Sequence, residues 1–131
     1  MHTPVGHPIL DRLRPQARQA LVAYLTRIAQ AYPNDVTSVT LYGSQARGES
    51  HGESDIDLLV LIRRDSMGLR QTLSDLAWTV QFEYGVVISD IIRNLDQWEQ
   101  MRRERFPFYQ NIEREGLVLW KSTPELMPAY A

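Results

Sequence analysis

Three short apolar runs alternate with helix-like stretches along this chain, and this alternation narrowly limits its fold. The runs Val36–Tyr42, Asp55–Ile62 and Val86–Ile92 have the length and composition of buried strands. Apolar residues spaced three and four apart, as in an amphipathic helix, precede the first run and separate the second from the third. The sequence therefore predicts an α/β or α+β domain in which helices pack against one small sheet.

Prolines, glycines and capping residues mark the ends of the predicted helices. The first helix covers about residues 9–31, with Pro15 as an alternative start because proline suits the first turn. The second covers Met67–Tyr84 and ends at Gly85, which suits a left-handed C-terminal cap. Three elements are predicted after the third strand: a helix from Asn94 to about Arg103, a helix from Pro107 to about Glu115, and a short strand at Leu117–Trp120.

Length and composition exclude several classes of protein. At 131 residues the chain fits a single domain, with a core at about residues 9–121 and a loose tail at 122–131. It has no cysteine, which excludes disulfides and zinc–thiolate sites. The 14 basic and 16 acidic residues argue against an extended nucleic-acid surface. The sequence has neither a signal peptide nor an apolar run of the roughly 20 residues that span a membrane, so we expect a cytoplasmic protein.

Two aspartates separated by a single residue begin the second apolar run. In a strand, Asp55 and Asp57 project from the same face, while Ile56 points to the opposite one. Their charges repel each other unless a cation joins them, and Mg²⁺ typically takes one or two protein carboxylates. The alternative is a solvated strand entrance, where carboxylates only discourage aggregation.

Asp90 is the only charged residue in the third apolar run. A buried carboxylate has to be paired, metal-bound or protonated, because leaving it unpaired is costly. If its strand lies beside the second one, about 4.8 Å away, three carboxylates would converge on one or two metal ions. The alternative is an ion pair between Asp90 and an arginine such as Arg93 or Arg63.

A Gly-Ser pair follows the first strand. Gly43 allows a backbone to approach a ligand closely, and Ser44 is expected to cap a short helix whose N–H groups attract phosphate. Arg47, one turn further on, is placed to contact a phosphate oxygen. The pair is weak on its own, but together with the aspartates it predicts a phosphate site beside a metal site.

These residues resemble a known signature. The strings at residues 42–48 (YGSQARG), 54–60 (SDIDLLV) and 106–116 (FPFYQNIEREG) are similar to the minimal nucleotidyltransferase (MNT-domain) family of the DNA polymerase β-type nucleotidyltransferase superfamily. The similarity covers about residues 9–121. It implies the polymerase β-like fold, a small mixed sheet flanked by helices.

The resemblance also implies a chemistry and a role for each motif. Gly43, Ser44 and Arg47 would hold the triphosphate of ATP, and Asp55 and Asp57 would bind Mg²⁺. Asp90 would be the third carboxylate, which completes the metal site or takes the acceptor's proton. The implied reaction is attack by an acceptor oxygen on the α-phosphorus of a nucleoside triphosphate, with loss of pyrophosphate.

MNT proteins often accompany a HEPN-domain toxin, and there the MNT protein is an antitoxin that transfers AMP to a tyrosine of its partner. The resemblance therefore implies a protein adenylyltransferase and a hetero-oligomer. Two alternatives stay open: an antitoxin that neutralises its partner by contact alone, and a small-molecule nucleotidyltransferase that acts as a homodimer.

Overall fold

The computed structural model describes residues 7–48 and 55–122. A short 3-10 helix at Pro8–Arg12 precedes the first α-helix. The remaining elements follow in the order α1 Pro15–Ala31, β1 Val36–Tyr42, α2 Gly43–Arg47, β2 Ile56–Ile62, α3 Met67–Tyr84, β3 Ile88–Asn94, α4 Leu95–Arg103, α5 Pro107–Glu115 and β4 Leu117–Lys121. The predicted polar loop at residues 49–54 and most of the predicted tail, residues 123–131, lie outside the described residues.

The four strands form one mixed sheet in the order β3-β2-β1-β4. β1 is antiparallel to both β2 and β4, and β2 is parallel to β3. The parallel pair is joined through α3, as a crossover connection between parallel strands requires. The predicted mixed sheet flanked by helices is therefore confirmed.

Each face of the sheet packs against its own pair of helices. The α1/α3 face carries Leu58 and Val60, which pack in the main core with Tyr24 of α1 and Leu73 of α3. The α4/α5 face carries Leu59 and Leu61, which pack with Ile112, Trp98 and Phe108. Successive residues of β2 alternate between these two faces, so burial on both sides explains why this run is almost uninterruptedly apolar.

Most predicted element ends lie within two residues of those in the structure. α1 begins at Pro15, the second of the two predicted starts. α2 begins at Gly43 with Tyr42 as its N-cap, so Ser44 lies inside the helix and is not its cap. β3 begins at Ile88 and not at Val86, because the Val86 N–H donates to the Gln81 carbonyl and closes the C-terminus of α3.

The outer edge of β3 is covered by side chains of α3. The Ile88 N–H donates to Gln81 Oε1 at 2.6 Å. At the other end of the strand, the Ile92 carbonyl accepts a hydrogen bond from Arg70 Nη1 at 2.9 Å. Arg70 also contacts Asp65 and Gln97, so it ties the start of α3 to the start of α4.

Within residues 7–48 and 55–122, no helix combines the length and apolar character needed to cross a bilayer.

Candidate active site

Asp55 and Asp57 lie where β2 begins, beside the end of β1. Asp57 is directly opposite Tyr42 in the antiparallel pair and is half-buried on the α4/α5 face. Asp55 immediately precedes the strand and is exposed. Two residues apart in an extended segment, the two carboxylates share one face, as their spacing predicts.

Gly43 makes the turn beside Asp57 possible. Its φ angle is +79°, a left-handed conformation that residues with a side chain rarely adopt. A Cβ atom at this position would overlap the Asp57 Oδ2 atom. The backbone of the Gly-Ser turn therefore lies against a carboxylate, and any side chain at Gly43 would separate the two.

Burial is the main cause of a raised pKa at Asp57. The neighbouring charge of Asp55 raises the pKa of Asp57 further, while the Arg47 guanidinium acts in the opposite direction. Ionised Asp57 is thus short of compensating positive charge. A cation between the two carboxylates would supply it, which is the electrostatic condition of a metal site.

Arg47 reaches from α2 to the end of α5. Its Nη1 atom donates to Glu115 Oε1 at 3.2 Å. The Arg47 guanidinium also lowers the pKa of Asp57, against the larger effects of burial and Asp55. Arg47 therefore lies between the predicted metal ligands and the last turn of α5.

Ser89 belongs to this site, and the sequence reasoning missed it. The parallel register pairs Ser89 with Asp57, and the Ser89 hydroxyl donates to Asp55 Oδ2 at 3.3 Å. The position next to the aspartate pair is thus a serine. Whether Ser89 or Asp90 lies beside the aspartate pair depends only on the register between β2 and β3. Neither apolar run contains a sequence signal that determines this register to within one residue.

The structure does not bring Asp90 together with Asp55 and Asp57. Asp90 pairs with Leu58 and shares the α1/α3 face with Ile88 and Ile92. The expectation of neighbouring strands was correct, but the expected convergence of three carboxylates was not, because a shift of one residue along a strand turns a side chain to the opposite face.

The surroundings of Asp90 differ from those of a metal ligand. Its Oδ2 atom is buried without a hydrogen-bond partner in the described part of the chain, and burial raises its pKa. Burial raises the pKa of Tyr24 on the same face, and the charge of Asp90 raises it further. The alternative ion pair is absent among the described residues, since Arg63 donates to the Asn34 carbonyl and Arg93 to the Ile92 carbonyl.

Aromatic side chains on the α4/α5 face flank the carboxylates. Tyr42 packs edge-on against Phe108 with ring centroids 5.3 Å apart, and Phe108 in turn contacts Trp98. Burial and the charge of Asp57 raise the pKa of the Tyr42 hydroxyl. The Tyr42 phenol therefore lies beside Asp57 at the edge of the site.

Comparison with known proteins agrees with this geometry. Residues 22–116 match the model of the nucleotidyltransferase domain family. A relative from Methanocaldococcus jannaschii, named "Putative protein adenylyltransferase MJ0604", is 28% identical over 102 residues, which are 78% of this chain and 96% of the relative.

Two solved structures have a similar fold. A structure described as a putative minimal nucleotidyltransferase has a TM-score of 0.52 and 26% identity, and the match covers 82% of this chain and 93% of that one. A toxin–antitoxin structure with AMP-PNP has a TM-score of 0.56 and 18% identity, with 86% and 77% covered. The family match spans most of the chain, includes the Gly-Ser turn and both site aspartates, and agrees with the mixed sheet. This chain therefore belongs to the nucleotidyltransferase domain family and is a nucleotidyltransferase.

Proposed function

We propose that this nucleotidyltransferase is a Mg²⁺-dependent protein adenylyltransferase that acts as an antitoxin, transferring AMP from ATP to a tyrosine of a HEPN-domain toxin. The observation that carries the proposal is the pair of carboxylates, Asp55 and Asp57, of which Asp57 lies against the backbone of the Gly43 turn. A binding protein without catalysis gains nothing from like charges held together at a half-buried position, since their repulsion opposes folding.

The residues present fit a magnesium ion. Asp55 and Asp57 supply the oxygen ligands that Mg²⁺ prefers, and two protein carboxylates are the number it commonly takes when phosphate and water complete its shell. When bound, the ion would offset negative charge on the attacking and leaving oxygens. Asp90 is not part of this proposed set, because it lies on the opposite face of the sheet.

The other site residues bind and orient. Gly43 and Ser44 present the backbone of the turn to the triphosphate, and Arg47 offers a guanidinium to a phosphate oxygen. Ser89 fixes one oxygen of Asp55. The tyrosine oxygen of the acceptor attacks the α-phosphorus, the bond to pyrophosphate breaks, and the phenolic proton passes to solvent.

Two comparisons support protein as the acceptor and a toxin as the partner. The archaeal relative is named as a protein adenylyltransferase, and the structural neighbour with AMP-PNP is a toxin–antitoxin assembly. The HEPN domain and its tyrosine come from the MNT resemblance of the three sequence strings. ATP is the proposed donor because AMP-PNP is an ATP analogue.

The decisive experiment is transfer of label to the partner. The purified chain is mixed with Mg²⁺ and the protein encoded by the neighbouring gene, which we expect to carry a HEPN domain, in parallel reactions with ATP labelled at the α- or the γ-phosphate. We expect label on the partner from α-labelled ATP only, and one added AMP on a tyrosine by peptide mass spectrometry. Asp57→Asn serves as the matched inactive control.

Three results would count against the proposal. Label from γ-labelled ATP would indicate phosphorylation. Neutralisation of the partner with no change in its mass would favour an antitoxin that acts by contact alone. Transfer to small molecules but not to the partner would favour a small-molecule nucleotidyltransferase.

A further inference from the structure

The Arg47–Glu115 contact joins two parts of the chain that are 68 residues apart in sequence. Arg47 lies at the end of α2, directly after the Gly-Ser turn, and Glu115 is the last residue of α5. Their side chains are 42% and 36% exposed, and Arg47 Nη1 lies 3.2 Å from Glu115 Oε1. On exposure alone this is an ordinary surface ion pair, and such pairs contribute little to stability.

The end of α5 is nevertheless held in place firmly. Gly116 follows Glu115, and a Cβ atom there would lie 2.7 Å from the Ile112 carbonyl oxygen and 2.8 Å from Thr40 Cγ2. Ile112, one turn before, is buried against Leu59 and Leu61 of the sheet. Glu115 is therefore anchored to the same sheet that carries Asp57, at a fixed place relative to the site.

We infer that Glu115 is a positioning residue, which holds the Arg47 guanidinium in the orientation that binds the triphosphate. This inference rests on the proposed function, because it takes ATP as the ligand. A guanidinium is a rigid plane with five N–H donors, so a carboxylate on one edge fixes the direction of the others. Without Glu115, the long Arg47 side chain would lose this contact, and more of its ordering would have to occur when the nucleotide binds.

Charge repulsion alone predicts the opposite effect of removing Glu115 on triphosphate binding. Glu115 is negatively charged and lies near the position proposed for an anionic ligand. If its charge acted only through space, removing it would lessen the repulsion and tighten triphosphate binding. If Glu115 positions Arg47, removing it weakens that binding. The direction of the change therefore separates the two explanations.

The experiment measures binding of Mg²⁺–AMP-PNP and of adenosine to the wild type and to Glu115→Gln by calorimetry. We expect the Kd for Mg²⁺–AMP-PNP to rise roughly tenfold, the lower end of what losing an outer-shell partner costs at metal sites. The Kd for adenosine, which has no phosphate, should stay within twofold. The conservative variant Glu115→Asp should fall between the wild type and Glu115→Gln.

Arg27–Glu83 supplies a matched control pair on another surface. Its atoms are 2.9 Å apart and its side chains are 38% and 46% exposed, close to the values for Arg47 and Glu115. Glu83→Gln should leave both Kd values unchanged. In an Arg47→Gln background, Glu115→Gln should add no further loss, because the two changes remove the same interaction.

The outcomes distinguish this inference from the proposed function. Unchanged or tighter Mg²⁺–AMP-PNP binding by Glu115→Gln, with normal binding by the wild type, overturns the positioning role alone. An equal loss for adenosine also overturns it, because the defect would then not concern phosphate. A wild type that binds no Mg²⁺–AMP-PNP overturns the proposed function and this inference with it.

Discussion

Asp57 of β2 and Asp90 of the neighbouring edge strand β3 are both acids, yet they lie in different chemical environments. Burial raises the pKa of Asp57, the neighbouring charge of Asp55 raises it further, and Arg47 opposes that shift, so Asp57 lies among charged groups. Asp90 faces the apolar α1/α3 face, where burial raises its pKa and one oxygen has no partner in the described chain. A cation would relieve the first carboxylate, whereas protonation would relieve the second.

Substitution of each acid by asparagine separates these roles. Asp57→Asn should lower nucleotidyl transfer by at least about 100-fold, because it removes a metal ligand and not only a supporting group. Asp90→Asn should stay within a few-fold of the wild type, since its side chain faces away from the site. The measurement is the initial rate of AMP transfer to the partner. A loss at Asp90 as large as that at Asp57 would contradict the two-carboxylate site.

The raised pKa of Asp90 also predicts how stability depends on pH. A carboxyl with a raised pKa in the folded state binds its proton more tightly there than in the unfolded chain. Its stabilising effect is complete below the ordinary carboxyl pKa and is lost as pH rises through the raised value. Asp90→Asn has no such proton, so its Tm relative to the wild type should rise with pH. Thermal melts from about pH 4 to about pH 8 would measure this, and a constant difference would contradict it.

Among the elements, α5 connects the site to the rest of the fold. Its buried Ile112 packs on β2, and its C-terminus lies directly against β1 at Thr40. The helix was predictable from Pro107 and Gly116, which mark its ends in the sequence. Its contact with α2 was not predictable, because an ion pair across 68 residues leaves no local pattern.

Gly116→Ala tests how closely α5 must approach the sheet. The added methyl group would contact the Ile112 carbonyl and the Thr40 side chain at under 3 Å, so the helix end has to shift. We expect a loss of about 1–3 kcal/mol in the free energy of unfolding, the usual cost of overpacking. Urea denaturation would measure it.

Gly68→Ala is the matched control for Gly116→Ala. Gly68 lies in the first turn of α3, is exposed, and its added methyl would meet nothing closer than 3.8 Å. Alanine favours a helix by up to about 1 kcal/mol over glycine, so this variant should be neutral or more stable. Equal losses in both variants would mean that close packing at Gly116 is not the cause.

For the whole molecule, the order of helices and strands was encoded in local patterns, whereas the pairing between strands was not. Apolar periodicity and caps such as Gly85 and Asn94 predicted α3 and α4 nearly to the residue. The neighbouring position of β2 and β3 was also anticipated. The register between them was not, because both runs are apolar on both faces and fit equally well after a shift of one residue. Because the register was not known, the sequence predicted Asp90 at the position beside the aspartate pair where the structure has Ser89.

Magnesium should be required for AMP transfer but not for folding. Chelation with EDTA should abolish AMP transfer while the fold persists, because the main core consists of apolar residues that are not proposed metal ligands. Adding Mg²⁺ together with AMP-PNP should raise the Tm, since a ligand that binds only the folded state stabilises it. Asp57→Asn should lose this rise in Tm. Full transfer in EDTA would contradict a metal-dependent reaction.

The two hydrogen bonds from α3 to β3 also affect whether a strand of another protein can pair with the edge of this sheet. An outermost strand ordinarily offers its backbone as a template on which another chain can extend the sheet. Gln81 occupies the Ile88 N–H and Arg70 the Ile92 carbonyl, four residues apart, so an incoming strand would have to displace both side chains. The helix that joins the parallel strands thus also blocks the free edge of β3 and disfavours aggregation through that edge.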